Sequence, residues 1–176
     1  MKTKSEIRQE LRKQYAALSE REWGARSRDL MLRILNEPGY QSAKSVFCYV
    51  SIKKEPDTRA LLQKILHDGK RLCVPRCKPD GSMEAVPVNS LDDLQKGLFG
   101  IPEPPQEIAP VSSDEIDLMI VPALGADKEG YRLGQGKGYY DRYLKGRTAG
   151  IWIVTFFMLD FPTEIHDVPG ERVFFG

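Results

Sequence analysis

The run Tyr131–Asp141, "YRLGQGKGYYD", combines small, cationic and acidic residues at a spacing suited to phosphate chemistry. Three glycines stand at alternate positions within it: Gly134, Gly136 and Gly138. Glycine permits positive φ and lacks a Cβ atom, so consecutive backbone N–H groups can turn toward one anion. Lys137 could place a positive charge on a phosphoryl group, and Asp141 could hold Mg²⁺ against the same phosphates.

Two familiar phosphate-binding patterns do not fit this run. A Walker A loop needs Ser or Thr after its lysine and a first glycine five residues before its last, but Gly138 follows Lys137 and Tyr131 occupies the glycine position. The dinucleotide fingerprint needs a third glycine where Tyr139 stands. From the residues alone, an anion-binding loop is favoured, and a flexible loop before an ordinary helix stays open as the alternative.

The segment before this run predicts where it lies. Ile116–Leu124 is apolar without alternation, which is typical of a strand buried on both faces in the middle of a parallel sheet. Ligands bind at the carboxyl ends of such strands, and the glycine run follows directly. We expect a helix from about Gly138 to Lys145, with Gly146 as its C-cap and its positive dipole end toward the anion.

The rest of the chain alternates between helical and strand patterns. Apolar stripes predict two helices between about residues 4 and 36, the second capped by Ser19. Further strands are expected at Ser45–Val50, at "RLCVP", near "MEAVPV" and at "AGIWIVTFF", with a helix that ends at Gly69. This order predicts an α/β fold, a three-layer mostly parallel sheet flanked by helices, as a single domain over residues 1–176 with the N-terminal helical pair packed on its core.

Composition narrows the function classes. The chain has 176 residues, 41% hydrophobic and 29% charged, and contains no apolar run long enough to cross a bilayer. Its first residues do not resemble a secretory signal, so we expect a cytoplasmic protein. A net charge of +1 gives no field that attracts nucleic acid. The three cysteines lie among apolar residues and lack the paired Cys-x-x-Cys spacing or histidine partners of a zinc site, so buried thiols are expected: Cys48, Cys73 and Cys77.

The longer run "DKEGYRLGQGKGYYDRYL" resembles the signature of the 5-formyltetrahydrofolate cyclo-ligases, also called 5,10-methenyltetrahydrofolate synthetases. Other segments match the family too: Lys4 and Arg8, "VSIKKEPDT" with Glu55, "GIPEP", and the pair His166 and Asp167. The resemblance implies a fold like that of ribose-phosphate isomerases and CoA-transferases, a Rossmann-type arrangement.

The resemblance also implies an activity. Enzymes of this family convert 5-formyltetrahydrofolate to 5,10-methenyltetrahydrofolate with ATP and Mg²⁺, and release ADP and phosphate. Transfer of the γ-phosphoryl group to the formyl oxygen makes that oxygen a good leaving group, and nitrogen 10 then attacks the carbon. Such chemistry depends on positioning and charge neutralisation more than on a protein nucleophile.

The site residues follow from the same resemblance. Lys137 and Arg132 are expected to be catalytic, and Asp141 and Asp167 to bind Mg²⁺. The expected ATP contacts are Lys4, Arg8, Arg132, Leu133, Gly134, Gln135, Gly136, Lys137, Gly138, Tyr139 and Tyr140. The expected folate contacts are Arg8, Val50, Glu55, Gly136, Gly138 and Tyr139. A carboxylate at Glu55 can accept two hydrogen bonds from the amino-pyrimidinone part of a pterin.

Two positions depart from the family pattern. Leu159 stands where a glutamine is usual and Glu171 where an aspartate is usual, and both are expected near the C-terminal wall of the site. They motivate an alternative, a folate- and nucleotide-binding homologue without turnover. A sugar-phosphate isomerase of similar architecture is a third hypothesis, because a fold does not determine function. A monomer that binds a small-molecule folate, without a nucleic-acid or membrane partner, is expected.

Overall fold

A computed structural model describes residues 2–147, 149–159 and 170–176. Five α-helices lie within these residues: α1 (Lys4–Ala17), α2 (Glu20–Leu35), α3 (Pro38–Ser42), α4 (Arg59–His67) and α5 (Tyr139–Leu144). The strands are β1 (Ser45–Cys48), β2 (Arg71–Cys77), β3 (Met83–Val88), β4 (Gln95–Lys96), β5 (Pro102–Glu103), β6 (Leu118–Pro122), β7 (Gly125–Ala126), β8 (Arg132–Leu133), β9 (Ile151–Thr155) and β10 (Arg172–Phe175).

Six of these strands form one sheet in the order β10-β9-β6-β1-β2-β3. All neighbouring pairs are parallel except β2 and β3, which pair antiparallel. Strand β6 lies between β1 and β9, with Val46 opposite Leu118 and Met119 opposite Ile151. The predicted mostly parallel sheet, with the apolar strand in its middle, is therefore confirmed.

Helices cover both faces of this sheet, so the fold has three layers. One hydrophobic cluster joins α1, α2, α3 and α4 to one face of the sheet. A second cluster joins α5 to the other face. Alternate residues of each strand face opposite clusters, as the pleat requires. Val46, Ile120 and Val154 belong to the first cluster, and Phe47, Met119 and Ile153 to the second.

Local capping explains where the two N-terminal helices begin. The Thr3 side chain accepts from the Glu6 N–H, and the Glu6 carboxylate accepts from the Thr3 N–H, which forms a capping box for α1. The Ser19 side chain accepts from the Glu22 N–H and caps α2, as the sequence predicted. Both helices pack on the face opposite α5.

Several predicted boundaries were wrong. The strand expected over Ile116–Leu124 is β6 only, because the chain leaves the sheet at Pro122 and forms the short β7–β8 ribbon. Residues 49–50 lie beyond the end of β1. The short helix α3 was not predicted; Pro38 occupies its first turn, where the missing N–H costs nothing.

Two further differences concern the last third of the chain. Helix α5 starts at Tyr139, after Gly138 as N-cap, and Lys145 is its C-cap in place of Gly146. Strand β10 was not predicted, and it extends the sheet beside β9. In the described part of the chain, the helices all fall short of the length and apolar character needed to cross a membrane.

The cysteines have the buried environment that their apolar neighbours predicted. Cys48 and Cys73 are buried, Cys77 is partly buried, and all three are free thiols. Burial raises the pKa of Cys73 and of Cys77 to about 11, so both stay protonated near neutral pH.

Helix α2 offers a matched test of core packing. Leu30 is fully buried, whereas Leu32 on the same helix is 55% exposed. We expect Leu30→Ala to lower the free energy of unfolding by about 2–5 kcal/mol, because it removes transfer energy and leaves a cavity. Leu32→Ala has the same helix-propensity change and should cost less than about 0.5 kcal/mol. Urea denaturation of both variants measures this, and equal losses would contradict the assigned burial.

Candidate active site

Residues 134–138, here called the glycine loop, lie just beyond the carboxyl end of β6. The β7–β8 ribbon carries the chain there, and the Leu124 N–H donates to the Leu133 carbonyl at 2.8 Å. Leu133 is buried and anchors the start of the loop in the core. Gly136 has φ +107° and Gly138 has φ +75°, backbone values that residues other than glycine rarely adopt.

The polar groups of the loop backbone divide into two sets. The amide groups of Gln135, Gly136 and Lys137 donate to no group among the described residues. The Gly134 carbonyl accepts from Arg8 Nε at 2.9 Å, and the Gln135 carbonyl accepts from Arg12 Nη2 at 2.9 Å. The loop therefore presents three unused donors, whereas the carbonyls of Gly134 and Gln135 are occupied.

Arg132 and Asp141 meet at the base of the loop. Arg132 is only 4% exposed; its guanidinium donates to the Pro122 carbonyl at 3.2 Å and lies 3.3 Å from Asp141 Oδ1. The guanidinium also stacks over the Tyr140 ring, 5.2 Å from its centroid. The Asp141 side chain is 40% exposed, so its second carboxylate oxygen can face a ligand from solvent. A buried cation thus orients a carboxylate beside the loop.

Lys137 and Tyr139 lie under the tip of the hairpin formed by β4 and β5. The Lys137 ammonium is 4.1 Å from the centroid of the Phe99 ring, a cation–π contact, and Tyr139 meets the same ring edge-on at 5.9 Å. Phe99 has φ +61° and remains 49% exposed. The Tyr139 hydroxyl donates to the Lys78 carbonyl at 2.9 Å. An aromatic surface therefore flanks the glycine loop.

Glu55 and Val50 follow β1, at the same end of the sheet as the loop. The Ile52 N–H donates to Glu55 Oε1 at 2.9 Å. Burial is the main cause that raises the pKa of Glu55 to about 7. Burial also raises the pKa of Tyr140 well above its usual value, and the nearby charge of Glu55 adds to that rise. Val50 is partly buried against the core cluster of α1–α4. The Glu55 carboxyl group, with its raised pKa, is therefore near enough to Tyr140 for its charge to affect that hydroxyl.

The remaining expected site residues have different positions. Lys4 is exposed on the first turn of α1, one turn before Arg8. Asp167, expected to bind Mg²⁺, lies outside the described residues. Leu159 is buried, and its N–H donates to the Ala126 carbonyl at 2.8 Å, so it packs beside the ribbon before the loop.

Glu171 does not lie where the sequence placed it. Its carboxylate accepts from the Gly150 N–H at 2.9 Å, before the start of β9 and therefore at the amino end of the parallel strands. There it lines a cleft of about 530 Å³ together with Lys44 and Asp117. This cleft is at the opposite end of the sheet from the glycine loop, so the expectation that Glu171 lies near the C-terminal wall of the site was wrong.

The donor set suits a nucleotide with Mg²⁺. The described residues contain no cluster of three or more metal-ligating side chains. They therefore offer no site for a metal that needs all its ligands from protein. Mg²⁺ keeps several waters and binds through one or two carboxylates plus phosphates, which Asp141 and a bound triphosphate could supply. The positive φ of Gly138, +75°, favours glycine at the last position of the loop.

Three residues at the loop were not identified from the sequence: Arg12, Phe99 and Arg142. Arg12 and Arg142 donate to loop carbonyls, and Phe99 contacts Lys137. Arg12 stands one further helical turn beyond Lys4 and Arg8, so its spacing could have indicated it. Phe99 lies far from the loop in sequence, and only the tertiary fold brings it there.

Comparison with known proteins identifies the family of this chain. The model of the 5-formyltetrahydrofolate cyclo-ligase family matches residues 1–175. The chain belongs to the 5-formyltetrahydrofolate cyclo-ligase family. It is 33% identical over 146 residues to the mouse 5-formyltetrahydrofolate cyclo-ligase, a match that covers 79% of this chain and 72% of the mouse protein. The Haemophilus influenzae 5-formyltetrahydrofolate cyclo-ligase is 29% identical over 177 residues, with 94% of each chain covered.

A solved structure of a cyclo-ligase relative also matches the fold. The NMR structure of the Aquifex aeolicus 5,10-methenyltetrahydrofolate synthetase superposes with a TM-score of 0.87 and 32% identity, over 98% of this chain and 89% of that one. The resemblance stated from the glycine run is therefore confirmed, and so is the α/β fold class.

The raised pKa of Glu55 makes a prediction about stability. The ordinary pKa of the Glu55 carboxyl is 4.5 and its pKa in the folded protein is about 7. Between these two pH values the folded protein keeps the proton that the unfolded chain has lost. The folded state then binds more protons, so this contribution is complete below pH 4.5 and disappears as pH rises through 7. Glu55→Gln keeps the acceptor for Ile52 but cannot ionise, so it should unfold less readily than wild type at pH 8, by about 1–3 kcal/mol.

The measurement is urea denaturation of wild type and Glu55→Gln at pH 5 and pH 8. The advantage of the variant should grow between the two pH values, while Glu107→Gln, a change at an exposed carboxylate, should show no such growth. A pH-independent difference for Glu55→Gln would contradict the raised pKa.

Proposed function

We propose that this chain converts 5-formyltetrahydrofolate to 5,10-methenyltetrahydrofolate, consumes ATP with Mg²⁺, and releases ADP and phosphate. The observation that carries the proposal is the glycine loop, whose unused amide donors lie beside Arg132 and Asp141 at the carboxyl end of the central strand. This is the place where open parallel sheets bind ligands, and family membership supplies the reaction.

The chemistry must remove an oxygen from a formamide. In the first step the bond between the γ-phosphorus and the bridging oxygen of ATP breaks, a bond forms from that phosphorus to the formyl oxygen, and ADP leaves. Nitrogen 10 then attacks the formyl carbon and loses its proton. The carbon–oxygen bond breaks, and the formyl oxygen departs as part of phosphate. Neither step needs a protein nucleophile, so positioning and charge stabilisation carry the catalysis.

The glycine loop supplies the groups for the phosphoryl side. The amides of Gln135, Gly136 and Lys137 would bind phosphate oxygens, and the Lys137 ammonium would stabilise charge that develops on the transferred group. The Lys137 side chain is exposed and held only by the Phe99 ring in the described contacts, so it can reach a phosphate. Mg²⁺ bound at Asp141 would neutralise the phosphates, and Arg132 holds that carboxylate in place.

The segment after β1 supplies the groups for the folate side. Glu55 would accept hydrogen bonds from the pterin, with its backbone fixed because the Trp23 indole N–H donates to its carbonyl at 2.7 Å. Val50 would offer an apolar contact beside it, and Tyr139 would border the formyl group. Arg8, half-buried and bonded to the loop, and Lys4, exposed one turn earlier on α1, would contribute positive charge toward the nucleotide.

A binding protein without turnover was motivated by Leu159 and Glu171, and their contacts do not favour it. Leu159 packs in the core, and Glu171 lies at the opposite end of the sheet. A cytoplasmic location, a monomeric state and one domain over residues 1–176 stay predictions from the sequence.

The function is tested by incubating the protein with ATP, Mg²⁺ and 5-formyltetrahydrofolate. The near-ultraviolet absorption band of the methenyl product should grow, with one ADP formed for each product molecule. Omission of ATP is the control and should abolish the band. If folate binds but no band forms, the chain is the binding protein and not the enzyme. Turnover of a sugar phosphate without ATP would instead support the isomerase hypothesis.

Replacement of Lys137 should lower turnover more than it weakens folate binding. We expect Lys137→Ala to lower kcat by about 10²–10³-fold, because a cation that stabilises developing charge acts mainly in the transition state. The KM for 5-formyltetrahydrofolate should change less than about threefold. Lys145→Ala removes an equal charge just after α5 and should behave as wild type. Steady-state kinetics measure both variants, and unchanged turnover in Lys137→Ala would remove Lys137 from the mechanism.

A further inference from the structure

Three arginines bind the backbone of the glycine loop through its carbonyl oxygens, each at 2.9 Å. In order along the loop, the pairs are Arg8 with Gly134, Arg12 with Gln135, and Arg142 with Lys137. Two of these arginines stand one turn apart on α1, and the third belongs to α5 on the other side of the loop. The loop is therefore braced by cations from two separate helices.

Peptide geometry connects these bonds to the amide groups. In a planar trans peptide, the carbonyl of one residue and the N–H of the next point in opposite directions. Because Arg8 and Arg12 draw the carbonyls of Gly134 and Gln135 toward α1, the amides of Gln135 and Gly136 point away from α1. These two amides donate to no other described residue. Consecutive amides on one side of a loop form an anion-binding concavity.

We propose that Arg12 and Arg142 are positioning residues that orient the amides of the glycine loop toward phosphate. They act through the loop backbone and not by contact with the nucleotide. A carbonyl that turned toward a phosphate would repel it. Arg12 and Arg142 each bind one loop carbonyl, those of Gln135 and Lys137, and Arg8 binds a third, that of Gly134. The proposal rests on the nucleotide site of the proposed function and names the residues that shape it.

Arg12 allows the cleanest test of this role. Its guanidinium is exposed and its described hydrogen bonds all go to Gln135, 2.9 Å to the backbone oxygen and 3.3 Å to the side-chain oxygen. Its loss should therefore leave the fold intact. Arg142 has other partners, since its Nε also donates to the Gly81 carbonyl at 2.8 Å and its guanidinium stacks on Tyr139. The neighbouring Lys13, also exposed on α1, offers a control of equal charge.

The experiment compares Arg12→Met, Arg12→Lys and Lys13→Met with wild type. ATP with Mg²⁺ and inorganic triphosphate are titrated by calorimetry, and amide hydrogen exchange of the loop is measured with and without each anion. We expect Arg12→Met to weaken binding of both anions about 3- to 10-fold, the effect of one exposed charge-assisted hydrogen bond. Protection of the loop amides by the anion should fall in the same variant. Arg12→Lys should recover part of the anion affinity and part of the amide protection. Lys13→Met should change neither the affinity nor the protection.

The outcomes separate this proposal from the proposed function. Equal losses in Arg12→Met and Lys13→Met would show a general charge effect and overturn the positioning role. Turnover with ATP in wild type, without protection of the loop amides, would overturn the positioning role and leave the function standing. Protection by triphosphate that depends on Arg12, in a protein that does not use ATP, would support the positioning role and overturn the function. No protection by either anion, without turnover, would overturn both.

Discussion

The hydroxyl of Tyr15 holds the N-terminal helix against the carboxyl ends of the central strands, and the site depends on that contact. The hydroxyl lies 2.9 Å from the Leu124 carbonyl, 3.2 Å from the Ala123 carbonyl and 3.2 Å from Thr155 Oγ1, and it accepts from the Phe156 N–H. The group is buried, and burial raises its pKa. One side chain of α1 thus fixes the helix where β6 and β9 end.

This docking brings the cationic face of α1 to the glycine loop. Arg8 and Arg12 then reach the loop carbonyls, and a loop rich in glycine acquires a defined backbone in spite of the conformational freedom of that residue. On the opposite side, the β4–β5 hairpin presents Phe99 to Lys137. A nucleotide would therefore lie between elements that are distant in the sequence, and each of them is anchored on the same sheet.

Much of the fold could be predicted from the sequence, because the strongest signals were local. The unbroken apolar run of β6 indicated a strand buried on both faces, and the cap at Ser19 marked the start of α2. The four residues of β10 were missed, since so short a run has no distinct period. The path after Pro122 was also missed, because the short β7–β8 ribbon depends on pairing and not on composition.

The site also contains some residues that a local motif indicates and others that only the tertiary fold brings there. The glycine loop and its neighbours were identified from one long motif, and the family that the motif indicated is confirmed. Arg142 and Phe99 act through contacts that the fold creates, so no local pattern marked their role. Glu171 was misplaced because its sequence position, near the end of the chain, does not reveal which end of a parallel strand it adjoins.

The central claim is that the γ-phosphoryl group activates the formyl oxygen, and an isotope measurement tests it most directly. 5-Formyltetrahydrofolate labelled with oxygen-18 in its formyl group is converted with unlabelled ATP and Mg²⁺ in ordinary water, and the released phosphate is analysed by mass spectrometry. The account predicts one oxygen-18 atom in each phosphate. Unlabelled phosphate, with the label in water, would contradict it.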